Sequence, residues 1–233
     1  MIGRRRNARS RWLSARNGQS SIINHQSLVV TLLYSGNIGL GQDIGTALRA
    51  VAQLNGEAKL KVLIAGDGRG LVAVRALVAE LRLAEAQIRP PVPLEELSAL
   101  LARGDVHLIC QQAGTEGLLV PSKIYSTLAA GRPSLFVGPA DCEVGRIVRE
   151  SGSGFVVEPG DVATAADVLR RLATNPALQR GMGRNARIYY EQHFGRERSV
   201  SRIVAILEAA GNGNGRGLKS EIRMSKSETS SKA

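Results

Sequence analysis

The stretch "KLKVLIAGDGRGLVAVRALVAELRLA" (residues 59–84) sets the fold. Its apolar run is short and nearly continuous, as in a strand buried on both faces. Gly66, Gly68 and Gly70 then break the chain into a tight turn, and from Leu71 the apolar residues recur at helical spacing. A strand, a glycine turn and a helix in succession open a βαβ unit, whose next strand lies parallel to the first. Asp67 stands where it would cap the helix beginning at residue 70.

The same order repeats on both sides of this unit. "LVVTLLYSG" (28–36) reads as a buried strand followed by a helix from about residue 43 to 54. Downstream, "IRPPVP" (88–93) is a short strand or extended piece, and "LEELSALLARG" is a helix closed by Gly104. "DVHLICQQ" (105–112) and "PSLFVG" (133–138) are strands on either side of a helix that starts at Pro121 and Ser122 and stops at Gly131. A helix ending at Gly152, the strand and turn "GFVVEPGD" (154–161), a helix capped by Asp161 and two further helices complete the pattern. Six strand–helix alternations imply a Rossmann-like, doubly wound parallel sheet spanning 28–210. Ligands of such sheets bind beyond the carboxyl ends of the strands, where the strand order reverses.

Aromatic residues make up only 3% of the 233, so the core is built from Leu, Val, Ile and Ala. The net charge of +11 sits mostly at the ends. Residues 1–27 hold six arginines and no acid, and residues 211–233 hold five Lys or Arg against two acids, which leaves +2 for 28–210. Both ends lack hydrophobic periodicity and read as disordered basic tails. Such tails suit peripheral contact with an anionic membrane or RNA, but no interleaved aromatics support specific base stacking. The Arg/Ser-rich start also has the composition of a transit peptide. No apolar run approaches the ~18 residues of a membrane span. Cys110 and Cys142 have no metal-like spacing and read as free thiols in a reducing compartment. The expected location is cytoplasmic, extending to the inner face of the plasma membrane.

Two glycine loops lie at the ligand edge. In "SGNIGLGQD" (35–43), Gly36, Gly39 and Gly41 leave the backbone bare for a phosphate. Neither the dinucleotide fingerprint nor a Walker lysine is present. Lys123 poses a sharper question, because it falls in the first turn of a helix, where the dipole already presents positive charge. A lysine there implies an anion in front of it. His107 alternates within an apolar strand and reads as a satisfied core histidine, and Tyr125 as a helix-packing residue. No metal cluster and no hydrolase-like Ser/His/Asp order are visible, and the sequence names no catalytic residue.

"LLYSGNIG", "VLIAGDG", "LLARGDVHLICQ", "VPSKIYSTLAAGRP" and "GFVVEPGD", in this order and spacing, resemble the C-terminal half of retaining GT-B glycosyltransferases of family four. The resemblance is to the colanic-acid and fucosaminyltransferase-like branch of bacterial polysaccharide synthesis. It implies that this half binds a UDP- or GDP-linked sugar as substrate, with no cofactor, and that a separate half binds the acceptor. The anion facing Lys123 is then a diphosphate. Lys123 and Ser122 would face it from one side, and Gly36, Asn37 and Gly39 from the other.

Departures from the family pattern accompany the likeness. Its first-loop Arg and Lys fall on Asn37 and Gln42, and its ribose-binding Glu falls on Ser126. Glu116 lies near the family's other glutamate but out of register. Gln111 and Gln112 would meet sugar hydroxyls, and residues 89–93 would border the base. Three readings follow: a donor-binding glycosyltransferase half whose acceptor half is missing, through a truncated reading frame or because it is a separate chain, a non-catalytic Rossmann-like scaffold, and RNA binding through the tails.

Overall fold

The apolar runs form six parallel strands. The computed structural model describes residues 29–54, 56–115 and 121–211, so the tail segments 1–27 and 212–233 and Glu116 lie outside the described residues. In chain order the elements are β1 (Val30–Ser35), α1 (Ile44–Leu54), β2 (Leu60–Ala65), α2 (Leu71–Glu80), β3 (Ala86–Arg89), α3 (Leu94–Arg103) and β4 (Val106–Cys110). They continue with α4 (Lys123–Ala130), β5 (Ser134–Val137), α5 (Glu143–Ser151), β6 (Gly154–Val157), α6 (Val162–Thr174), α7 (Pro176–His193) and α8 (Arg196–Gly211).

The strands lie in the order β3-β2-β1-β4-β5-β6, all parallel. The chain starts in the middle, builds outward to β3 and returns to place β4 beside β1. The switch point therefore lies between β1 and β4, the Rossmann arrangement expected from the alternation.

Side chains alternate across the sheet. Leu32 and Tyr34 of β1, Leu108 of β4 and Leu135 of β5 pack with α1 and α6 on one face. On the other, Leu33 meets Leu100 of α3, while Ile109 and Phe136 meet α4, α5 and α7. Burying both faces is what makes the strands read as unbroken apolar runs.

Of four local readings, one changes, one sharpens and two hold. Asp67 does not cap α2: its carboxylate accepts from the Gly68 amide at 2.7 Å, and Gly70 occupies the N-cap without a side-chain bond. β3 ends at Arg89, before the prolines at 90, 91 and 93, which cannot donate to a ladder. Asp161 does cap α6, accepting from Thr164 N at 3.0 Å. His107 is a buried, satisfied histidine, with Nδ1 3.1 Å from Thr127 Oγ1 and Nε2 3.0 Å from the Leu101 carbonyl. A carbonyl only accepts, so Nε2 carries the proton and Nδ1 accepts from Thr127. Among the described residues no helix is long and apolar enough to cross a membrane.

Candidate functional site

At the carboxyl ends of β1 and β2 the two glycine loops press together. Gly36 N donates to Ala65 O at 2.9 Å, Ile38 N to Asp67 O at 2.8 Å, and Gly70 N to Ile38 O at 2.8 Å. The contact is so close that a Cβ on Gly66 would lie 1.9 Å from the Gly36 oxygen. Only glycine fits there. Ile38 plugs the interior beneath the loop and is buried.

Lys123, the first residue of α4, runs back across this double loop. Gly36 sits at φ +122°, and a Cβ there would meet Lys123 Cε at 2.9 Å. Gly36 therefore supplies the bed for the lysine stem, since its own amide is already taken by Ala65. The ammonium lies 4.8 Å from the centre of the Tyr34 ring and 3.4 Å from Asn37 O. That hydrogen bond is long, and among the described residues no carboxylate pairs with Lys123. Burial lowers the lysine pKa from its ordinary value, partly countered by the Cys110 thiol. A half-buried cation with one weak acceptor is costly, and a bound anion would offset that cost.

Unbonded donors lie on the two segments that meet at Lys123. Ser122 is the N-cap of α4 in a helical conformation and makes no side-chain capping bond. Among the described residues the amides of Ser122, Lys123, Asn37 and Gly39 find no acceptor. Pro121 and Ser122 begin the helix without closing its end, so the helix that carries Lys123 starts with uncapped amides.

The structure lays Lys123, with Ser122 before it in the chain, on Gly36 and the Asn37 carbonyl, keeps Gly39 on the same loop, and gives other expected residues structural partners. Ser126 donates to the Lys123 carbonyl at 2.9 Å, within its own helix. Gln111 is buried just past β4, with its amide on Val137 O at 2.9 Å. Gln112 N donates to Gly41 O at 2.9 Å, tying the β4 exit to the first loop. Thr46 of α1 donates to Asp43 and accepts from Gly160 N at 2.8 Å, and Glu158 accepts from Ala140 N at 3.1 Å. These bonds fix the rim of the edge. Among the described residues no group of His, Cys, Asp and Glu could hold a metal ion.

Tyr34 is the residue sequence reasoning passed over. It is fully buried, its hydroxyl lies 2.5 Å from Asn37 O and 2.9 Å from Gln42 Oε1, and its ring lies beneath Lys123. A phenol has one proton to give; with Asn37 O taking it, the Gln42 amide satisfies the oxygen by turning its NH₂ inward. Burial and the nearby Cys110 raise the Tyr34 pKa, so the phenol stays neutral. Asn37 and Gln42 thus hold the loop on Tyr34. The available signal was a lone tyrosine closing an aliphatic strand.

Residues 19–189 match the family described as glycosyl transferases group 1. The chain is 31% identical over 146 residues to the Escherichia coli K12 protein named as the colanic acid biosynthesis glycosyl transferase WcaI, covering 62% of this chain and 36% of that protein. It is 33% identical over 136 residues to the Pseudomonas aeruginosa glycosyltransferase WbjE, covering 58% and 34%. The chain therefore spans about a third of the length of these relatives. Among solved structures, Anabaena HepE in complex with UDP-glucose shares the fold with a TM-score of 0.66 at 14% identity, over 86% of this chain and 51% of that one.

Proposed function

Because the chain belongs to the group 1 glycosyl transferases, we propose that residues 28–210 bind the diphosphate of a nucleotide sugar for glycosyl transfer in polysaccharide synthesis. The observation that carries this reading is Lys123, a half-buried ammonium laid over Gly36 at the start of an uncapped helix, with a single acceptor among the described residues, at 3.4 Å. The UDP-glucose complex of HepE, which shares the fold, supports UDP as the first nucleotide to test.

In the transfer step the bond between the sugar anomeric carbon and the β-phosphate oxygen breaks, and its electron pair leaves on the nucleotide. The acceptor hydroxyl forms the new bond, and its proton passes to the departing β-phosphate oxygen. Charge grows on the diphosphate as the bond breaks. Lys123 and the amides of Ser122, Asn37 and Gly39 act there as fixed electrostatic stabilisers of the leaving group. The nucleotide sugar is the substrate and no cofactor takes part.

The acceptor is presented by a separate half. α8 offers a face for it: Val200, Ile203, Val204 and Leu207 recur at helical spacing and are 44–64% exposed. The length by which the relatives exceed this match supports an acceptor half as the occupant.

The alternative is a non-catalytic scaffold, favoured by Asn37, Gln42 and Ser126 standing at the family's Arg, Lys and Glu positions and by the Gln42 side chain being taken up by the Tyr34 hydroxyl at 2.9 Å. Titration calorimetry with UDP and GDP separates the two. Saturable binding that weakens at least about tenfold in Lys123→Ala, roughly 1.4 kcal/mol, supports the donor site. No heat at millimolar nucleotide leaves the scaffold.

A further inference from the structure

The opposite edge of the sheet, at the amino ends of β4 and β5, carries a cleft of about 390 Å³ lined by Asp105, Arg132, Arg180, Arg184 and Arg187. Two backbones crossing at glycines build it. Gly131 ends α4 in the left-handed conformation, and a Cβ on Gly183 would lie 2.4 Å from the Gly131 oxygen. α7 therefore lies directly on the α4–β5 turn. Arg180, Arg184 and Arg187, spaced i, i+4 and i+7, form one ridge along it. Arg132 enters from the turn, held by its Nη2 on Ala102 O at 2.9 Å.

The charge in this cleft is not neutralised from within. Arg187 is paired with Glu191 at 2.7 Å. Among the described residues Arg132, Arg180 and Arg184 have no carboxylate partner. Asp105 lines the same cleft, with Oδ2 accepting from Thr31 N at 2.9 Å, and its one negative charge leaves the arginines in excess. The four cations are all arginines, whose planar forks match tetrahedral oxyanions in pairs, and they approach from two elements. A merely solvated charged face does not need a concave wall closed by two glycines.

We propose that this cleft is a second anion site, separate from the Lys123 edge, that binds a phosphate group. The group belongs either to a soluble phosphate compound or to an anionic lipid headgroup, and the cleft contacts it through Arg132, Arg180 and Arg184.

The test uses the full chain, labelled so that arginine side-chain NMR signals are visible. Inorganic phosphate is titrated at constant ionic strength against chloride. The Arg132, Arg180 and Arg184 signals are expected to shift along one saturating curve. R180Q/R184Q should weaken that curve at least about tenfold, and R180K/R184K should restore part of it. A second arm compares vesicles of phosphatidylglycerol and phosphatidylcholine. The terminal arginines are common to both proteins, so the difference between wild type and R180Q/R184Q reads the cleft. Weaker phosphatidylglycerol binding by the variant assigns the headgroup. Saturable phosphate binding with unchanged vesicle binding assigns a soluble phosphate compound. Phosphate shifts no larger than those from chloride, together with vesicle binding equal in both proteins, overturn the proposal.

Discussion

At the carboxyl edge Gly66 lies beneath the Gly36 carbonyl; at the amino edge Gly183 lies beneath that of Gly131. Both edges use a glycine to bring two backbones into contact, and both set positive charge on top. They differ in how that charge is held. Lys123 is half-buried, stretched over Gly36 and Tyr34, and its pKa is lowered by burial. Arg180 and Arg184 are exposed on a helix ridge and, among the described residues, unpaired. A desolvated cation in a fixed place suits charge that develops during a reaction, whereas hydrated arginines in an open cleft suit an anion that arrives already charged.

The strongest way to break the comparison is Gly66→Ala. Its Cβ would meet backbone at 1.9 Å, so the two loops must separate. We expect a loss of about 3 kcal/mol or more in denaturant unfolding, with nucleotide binding lost. An effect below about 1 kcal/mol would show that the loop contact is soft.

The amino edge has a comparable lever in pH. Burial, opposed by the hydrogen bond to the Leu101 carbonyl and aided by the Arg132 charge, holds the His107 pKa down at about 4. The unfolded chain takes up this proton below about pH 6.5 and the native fold only below about 4. Stability is thus full above pH 6.5, and on the order of 3 kcal/mol is lost as pH falls to 4. His107→Gln should flatten that window in urea titrations, and an unchanged slope would remove His107 as its source.

Lys123→Ala comes next, with its tenfold loss of nucleotide affinity and little change in unfolding. The smallest effect is expected from R180Q/R184Q, which should leave stability within about 0.5 kcal/mol and UDP affinity within about twofold. A larger loss of UDP binding would mean that the two edges share one ligand.

Much of the carboxyl edge was legible in the sequence. Alternating apolar runs gave the parallel sheet, though not its strand order, and Lys123 was conspicuous because it opposes its own helix dipole. The packing of Gly66 on Gly36 was not legible, since it joins two loops through backbone atoms that leave no side-chain signal. Asp67 misled for the same reason: its carboxylate found the next amide before it could reach the helix end. The arginine cleft depends on residues 131–132 meeting 180–187, a contact made only when α4 and α7 cross. In the sequence those arginines are an ordinary helical charge pattern.

The most direct measurement is a crystal structure of the chain with UDP. The account predicts phosphate oxygens within about 3 Å of Lys123 Nζ and of the Ser122 and Gly39 amides, with Asn37 O released from the lysine. A diphosphate seated in the arginine cleft, with Lys123 still lying on Tyr34 and Asn37, would contradict it.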